Sequence, residues 1–313
     1  MRAAFVTVLF SALCACSSES TTATAATPPS LAAAPLGDDA GTEGGSLTDP
    51  AHAAPPVAPA KGCGLAPANV GATTTRSTTV AGAARVYHLS VPAGLARAQP
   101  APLVFVLHGA GDTSPQSMRD WFGVEGHMIG ALVVYPQALP RTRKDGSGGL
   151  VTRWDLDGGE DTSFFDAMLA ELSDAYCVDR PRVFVTGFSS GGNFSQQLAC
   201  VRSKDVKGMA VVAGPGPFSD TCGGAVSTWM THDTADPTLP VADARSSRDF
   251  WASENGCGKS TWAAVADRPE CQRNASCSSG RPLVYCETSG VGHVVPWYAA
   301  AAIGAFFSSL GKP

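Results

Sequence analysis

The chain has 313 residues, 44% of them hydrophobic, which is enough for a substantial core in one large domain or two small ones. Its formal net charge is −5 and no long block of Lys or Arg occurs, so neither the field nor the patch needed to hold a nucleic acid is present.

Met1-Arg2 is followed by an apolar run over residues 3–13, the length of an export-signal core and too short for a bilayer span. Leu13-Cys14-Ala15-Cys16 resembles a bacterial lipobox, which would make Cys16 the lipidated first residue of the mature chain and its only means of membrane attachment. The alternative is an ordinary signal-peptidase site near Ala15. Residues 17–61 are rich in Ala, Thr and Pro and have no periodic apolar pattern, so a disordered tether is expected there. The folded domain is expected over residues 62–313, on a secreted or cell-surface protein that is monomeric.

Ten cysteines are present, and beyond Cys14 and Cys16 they are Cys63, Cys177, Cys200, Cys222, Cys257, Cys271, Cys277 and Cys286. An even set in an exported chain points to disulfides. With no Cys-x-x-Cys pair and no His at ligand spacing, no metal and no cofactor are expected. Sequence leaves the pairing open, with Cys177–Cys200 as a first guess.

From residue 62 onward, short apolar β-rich runs alternate with helical patterns. This is the mark of an α/β domain whose mostly parallel sheet is covered on both faces. Strands are expected over 85–91, 103–107, 131–135, 182–186, 208–213, 225–231 and 282–287. Helices are expected over 162–177, with Asp161 as N-cap, and over 192–201, 242–254 and 297–310. The run Leu103-Val104-Phe105-Val106-Leu107 suits a strand buried on both sides.

Gly187-Phe188-Ser189-Ser190-Gly191 fits Gly-x-Ser-x-Gly, a weak signal by itself in a chain with 34 glycines. Here a strand runs into it and a helix leaves it, the context of a nucleophile elbow with Ser189 at the turn. A serine needs a base, and His293, in the loop after the last strand, is the natural one. His52 falls in the tether, His88 in a strand and His127 in a helical stretch. The matching carboxylate should follow the strand before the last. Asp236 is preferred because it lies past the strand end, and Asp233 is the runner-up. The loop Leu107-His108-Gly109-Ala110-Gly111 is placed to supply oxyanion donors, with the Ala110 and Ser190 N–H groups as the pair and His108 ordering the loop.

These blocks, together with Tyr176-Cys177-Val178-Asp179, Ala235-Asp236-Pro237 and Gly292-His293, resemble the secreted polyhydroxybutyrate depolymerases and the feruloyl and acetylxylan esterases of carbohydrate esterase family 1. The resemblance spans almost the whole domain. It implies an α/β-hydrolase fold with Ser189 as nucleophile, Asp236 as acid and His293 as base, and the short stretch between Ala213 and the next expected strand leaves no room for a large lid. Two departures stand out: His232-Asp233 where the family usually has His-Gly, and His293-Val294-Val295-Pro296-Trp297 where it has Gly-His-x-Trp-Pro.

The substrate expected is a polymeric or polymer-attached ester, feruloyl or acetyl on plant cell-wall polysaccharide or alternatively a hydroxyalkanoate polyester. A noncatalytic surface-binding lipoprotein is the reading from another class. The long insertion over residues 136–160 carries Arg141, Arg143, Lys144, Trp154 and Asp157. Trp154 is read either as a stacking platform for a sugar or feruloyl ring or as an anchor of the insertion to the core. Trp297 is a second substrate-binding candidate.

Overall fold

A computed structural model describes residues 59–311, apart from 113, 144, 145, 158 and 220. The export signal, Cys16, most of the tether and Lys144 lie outside the described residues.

The main sheet is built from β1 (Thr73–Val80), β2 (Ala83–Ser90), β3 (Ala101–Leu107), β4 (Leu132–Pro136), β7 (Val178–Phe188), β8 (Gly208–Val212), β9 (Ser227–Asp233), β10 (Trp262–Val265), β11 (Arg268–Asn274) and β12 (Leu283–Thr288). Their order is β1-β2-β4-β3-β7-β8-β9-β12-β11-β10. The pairs from β4 through β12 are parallel, and antiparallel strands finish both edges. A hairpin of β5 (Pro140–Thr142) and β6 (Leu150–Thr152) occupies the long insertion.

Side chains alternate along a strand, so a strand buried on both faces feeds two cores. In β3, Leu103, Phe105 and Leu107 join one core cluster. Helices α2 (Glu160–Ala175), α3 (Ser190–Val201) and α4 (Val241–Glu254) cover this face through Phe165, Leu198 and Trp251. Val104 and Val106 join the other cluster, covered by α1 (Pro115–Phe122) and α5 (Ala299–Ser309) through Met118, Phe122 and Ile303.

One correction concerns Asp161. The N-cap of α2 is Gly159, and Asp161 lies inside the first turn, buried. It is held there because Arg85 of β2 is also fully buried and requires a counter-charge; Asp161 pairs with both Arg85 and Arg141. The same carboxylate accepts the Asp155 N–H at 2.6 Å, tying the insertion to the domain.

The disulfides are Cys63–Cys177, Cys200–Cys222, Cys257–Cys277 and Cys271–Cys286. The expected Cys177–Cys200 pairing is therefore wrong. Cys177, at the end of α2, meets the segment that opens the domain, where the Gly62 N–H donates to Ser173 O at 2.9 Å; Cys200 in α3 instead secures the β8–β9 connection. Four bridges suit an oxidising compartment outside the cytoplasm. Residues 213–226 join β8 to β9 with no helix among the described residues, so no helical lid stands there.

Candidate active site

Ser189 stands between β7 and α3 with φ 52° and ψ −120°, a conformation that costs a side-chain-bearing residue energy and must be held by its surroundings. The surroundings are backbone packed against backbone. A Cβ at Gly191 would overlap the Leu107 carbonyl, and one at Gly187 would overlap Gly191. Only glycines permit this approach, which fixes the elbow against the end of β3.

His293 and Asp236 arrive from the ends of two parallel neighbours, β12 and β9. His293 Nε2 lies 2.9 Å from Ser189 Oγ, and His293 Nδ1 lies 2.7 Å from Asp236 Oδ2. The Asp236 side chain is fully buried, and its other oxygen accepts the N–H groups of Thr238 at 2.8 Å and Leu239 at 3.0 Å. Burial works to raise this carboxyl, but the His293 bond and the two amides outweigh it and hold it below the usual carboxylate range. An ionised Asp236 can only accept, so Nδ1 carries the imidazole proton and Nε2 offers its lone pair to Ser189.

Asp233, the runner-up acid, is the last residue of β9 and points elsewhere. Its carboxylate accepts from Val291 N–H at 2.9 Å, Thr288 Oγ1 at 2.8 Å and Ala235 N–H at 2.9 Å. His232 Nε2 donates to Leu239 O at 2.8 Å, steadying the turn whose amides hold Asp236.

His108 orders the loop after β3. The Ala138 N–H donates to its Nε2 at 3.0 Å, so Nδ1 must carry the proton, which it donates to Gly109 O at 2.7 Å. Burial pushes the imidazole below its ordinary pKa despite the Gly109 bond, which keeps it neutral. Gly109 packs on the elbow, where an added Cβ would stand 3.1 Å from Phe188 Cδ1 and 3.6 Å from Ser189 Cβ. Ala110 is exposed at the loop tip, while the Ser190 N–H opens α3, where the helix itself supplies no acceptor.

Trp154 requires a correction. It is 1% exposed and cannot stack on a substrate. Its ring stacks on Phe194 at 5.2 Å and its Nε1–H donates to His108 O at 2.8 Å. The insertion also reaches the loop through Gly111 N–H to Thr152 O at 2.8 Å, so it braces the segment carrying Ala110. Trp297 is 86% exposed, but its ring contacts Arg268 and Tyr298. The aromatic ring against His293 is Phe188, at 4.8 Å between centroids, and Trp121, 50% exposed, meets Phe188 edge-on at 4.9 Å. Trp121 escapes sequence reasoning because α1, which carries it, is short and polar; the capping signal Ser114-Pro115 and the Gly123 stop were its available marks.

The sheet order, the strained serine turn and the acid and histidine at the ends of the following strands define an α/β-hydrolase. No family model matches the sequence. The chain is 36% identical over 208 residues to feruloyl esterase D of Neurospora crassa, covering 64% of this chain and 70% of that protein. It is 33% identical over 181 residues to feruloyl esterase C of Emericella nidulans, covering 55% of this chain and 63% of that one. Among solved structures, the acetyl xylan esterase from Aspergillus awamori superposes with a TM-score of 0.55 at 18% identity, over 75% of this chain and all of that one, a likeness of fold. The chain belongs to the feruloyl esterase family of carboxylic ester hydrolases.

Proposed function

We propose that this enzyme hydrolyses ester-linked acyl groups on plant cell-wall polysaccharide, feruloyl esters foremost, with Ser189 as nucleophile, His293 as general base and acid, and Asp236 as its orienting carboxylate. The observation that carries the chemistry is the unbroken hydrogen-bonded series from Ser189 Oγ through His293 to Asp236, at 2.9 and 2.7 Å. Ser189 Oγ attacks the ester carbonyl carbon as its proton passes to His293 Nε2. The developing oxyanion is met by the Ala110 and Ser190 N–H groups, already fixed by the braced loop and the helix start. The bond to the sugar oxygen then breaks, His293 returns the proton to that oxygen, and the acyl group stays on Ser189. Water, deprotonated by His293, releases the carboxylic acid and restores the serine.

Two observations support a polymer-borne aromatic ester. The described residues of the β8–β9 connection form no helical lid, and the half-exposed ring of Trp121 stands edge-on to Phe188, which packs against His293. A planar feruloyl ring would pack there. Purified protein tested on methyl ferulate, feruloylated and acetylated xylan and hydroxybutyrate polymer, each beside a Ser189→Ala control, decides the substrate. Ferulate release abolished by Ser189→Ala is expected, and turnover of the polyester alone would refute the cell-wall reading. A monomer carrying a lipid on Cys16 completes the proposal, and palmitate labelling compared with Cys16→Ala tests the attachment.

A further inference from the structure

Strands β9 and β12 end level with one another, with Asp233 opposite Thr288 in the parallel register. The Thr234 N–H to Thr288 O bond, 2.9 Å, is the last backbone link between them. Beyond it the two loops that carry Asp236 and His293 separate from the sheet. The histidine loop has little to hold it: Gly290 and Gly292 take positive φ of 77° and 78°, and Val291 between them is exposed. Such a segment samples many backbone states unless something fastens it.

The Asp233 side chain supplies the fastening. It is 3% exposed, and its oxygens reach both loops at once. One accepts the Val291 N–H at 2.9 Å and the Thr288 hydroxyl at 2.8 Å; the other accepts the Ala235 N–H at 2.9 Å, one residue before Asp236. A buried carboxylate with this many donors makes strong charge-assisted bonds.

We infer that Asp233 is a positioning residue, a side-chain clasp that fixes the histidine loop to the acid loop and so sets the approach of His293 to Asp236 and Ser189. The inference rests on the triad proposed above. Asp233 touches no reacting atom, so its contribution falls on the alignment of the base, which appears in kcat more than in KM.

The test compares wild type, Asp233→Asn, Thr288→Val and Ser189→Ala by p-nitrophenyl acetate kinetics and by hydrogen–deuterium exchange. Asn keeps the shape of the side chain but turns an amino group toward one set of donors. We expect Asp233→Asn to lower kcat on the order of tenfold to a hundredfold, with KM within about twofold, and to speed exchange across residues 289–293 while β9 and β12 stay protected. Thr288→Val removes one of the clasp's bonds, with the longer 3.5 Å contact to His232 O, and leaves the charge in place, so it should fall between Asp233→Asn and wild type and gives a second reading should Asp233→Asn fold poorly. A kcat for Asp233→Asn within about twofold of wild type, beside an inactive Ser189→Ala, would overturn the clasp and leave the triad standing. A loss of kcat in Asp233→Asn accompanied by faster exchange throughout the sheet, with Thr288→Val at the wild-type rate, would also overturn it. An active Ser189→Ala would instead overturn the triad itself.

Discussion

His293 Nε2 and Ser189 Oγ lie 2.9 Å apart, although 104 residues separate them in the chain. The sheet brings them together, since β7 ends in the serine turn and β12 ends in the histidine loop. Groups that act as one unit are lost as one unit. Ser189→Ala and His293→Ala should each remove nearly all turnover of p-nitrophenyl acetate, and the double variant should be no worse than either. Asp236→Asn should lower kcat by roughly 10³- to 10⁴-fold, because the amide cannot fix the Nδ1–H tautomer. Steady-state kinetics of the four variants measure this non-additivity.

The carboxyls of Asp233 and Asp236 are both held below the usual range; for each, burial opposes ionisation but is outweighed by hydrogen bonds from neighbouring donors. A depressed folded pKa contributes stability above the unfolded value, about 3.9 for Asp, and that contribution is lost as the pH falls through the folded value. Wild type should therefore exceed Asp233→Asn in Tm by a constant margin above about pH 5, and the margin should shrink below about pH 4. Calorimetric scans of both proteins over this range check the sign.

Two tryptophans near the site should answer differently. Trp154 is buried between Phe194 and the loop after β3, so Trp154→Ala should cost about 3–5 kcal/mol in urea unfolding. Trp154→Phe keeps the stack but loses the Nε1–H bond to His108 O, so its effect should fall on kcat toward every ester. On the proposed packing of the feruloyl ring against Trp121, Trp121→Ala should raise KM for methyl ferulate and leave p-nitrophenyl acetate, whose acyl group has no ring, nearly unchanged. Equal effects on both esters would remove Trp121 from substrate recognition.

The disulfides close loops of unequal length. Cys63–Cys177 spans 114 residues and Cys271–Cys286 spans 15. By loop entropy alone the first contributes about 5 kcal/mol and the second about 3. Paired Cys→Ala replacements followed by urea unfolding should rank them in that order.

The centre of the fold was legible because strands buried on both faces must be apolar throughout, as Leu103 to Leu107 are. The elbow was legible because its requirements are local: a strand, a glycine on each side of Ser189, and a helix. The edges were harder to read. Strand β1, Thr-rich and half-exposed, β10, only four residues long with two exposed alanines, and β11, polar on its solvent side, lack the pattern that burial imposes. Within the site, order along the chain pointed to Asp236 and His293. The role of Trp154 was hidden because an aromatic residue in a polar insertion reads the same whether it faces a substrate or a core. Disulfide pairing was equally hidden: Cys63 meets Cys177 only because the opening segment packs on the end of α2.

In the proposed mechanism the acyl group rests on Ser189 between the two half-reactions. The direct measurement is rapid acid quenching during turnover of p-nitrophenyl acetate, followed by peptide mapping with mass spectrometry. One acetyl group, on Ser189, should appear with the burst of p-nitrophenol and be absent from Ser189→Ala. A burst with the acetyl group on another residue, or a Ser189→Ala protein that keeps its turnover, would contradict it.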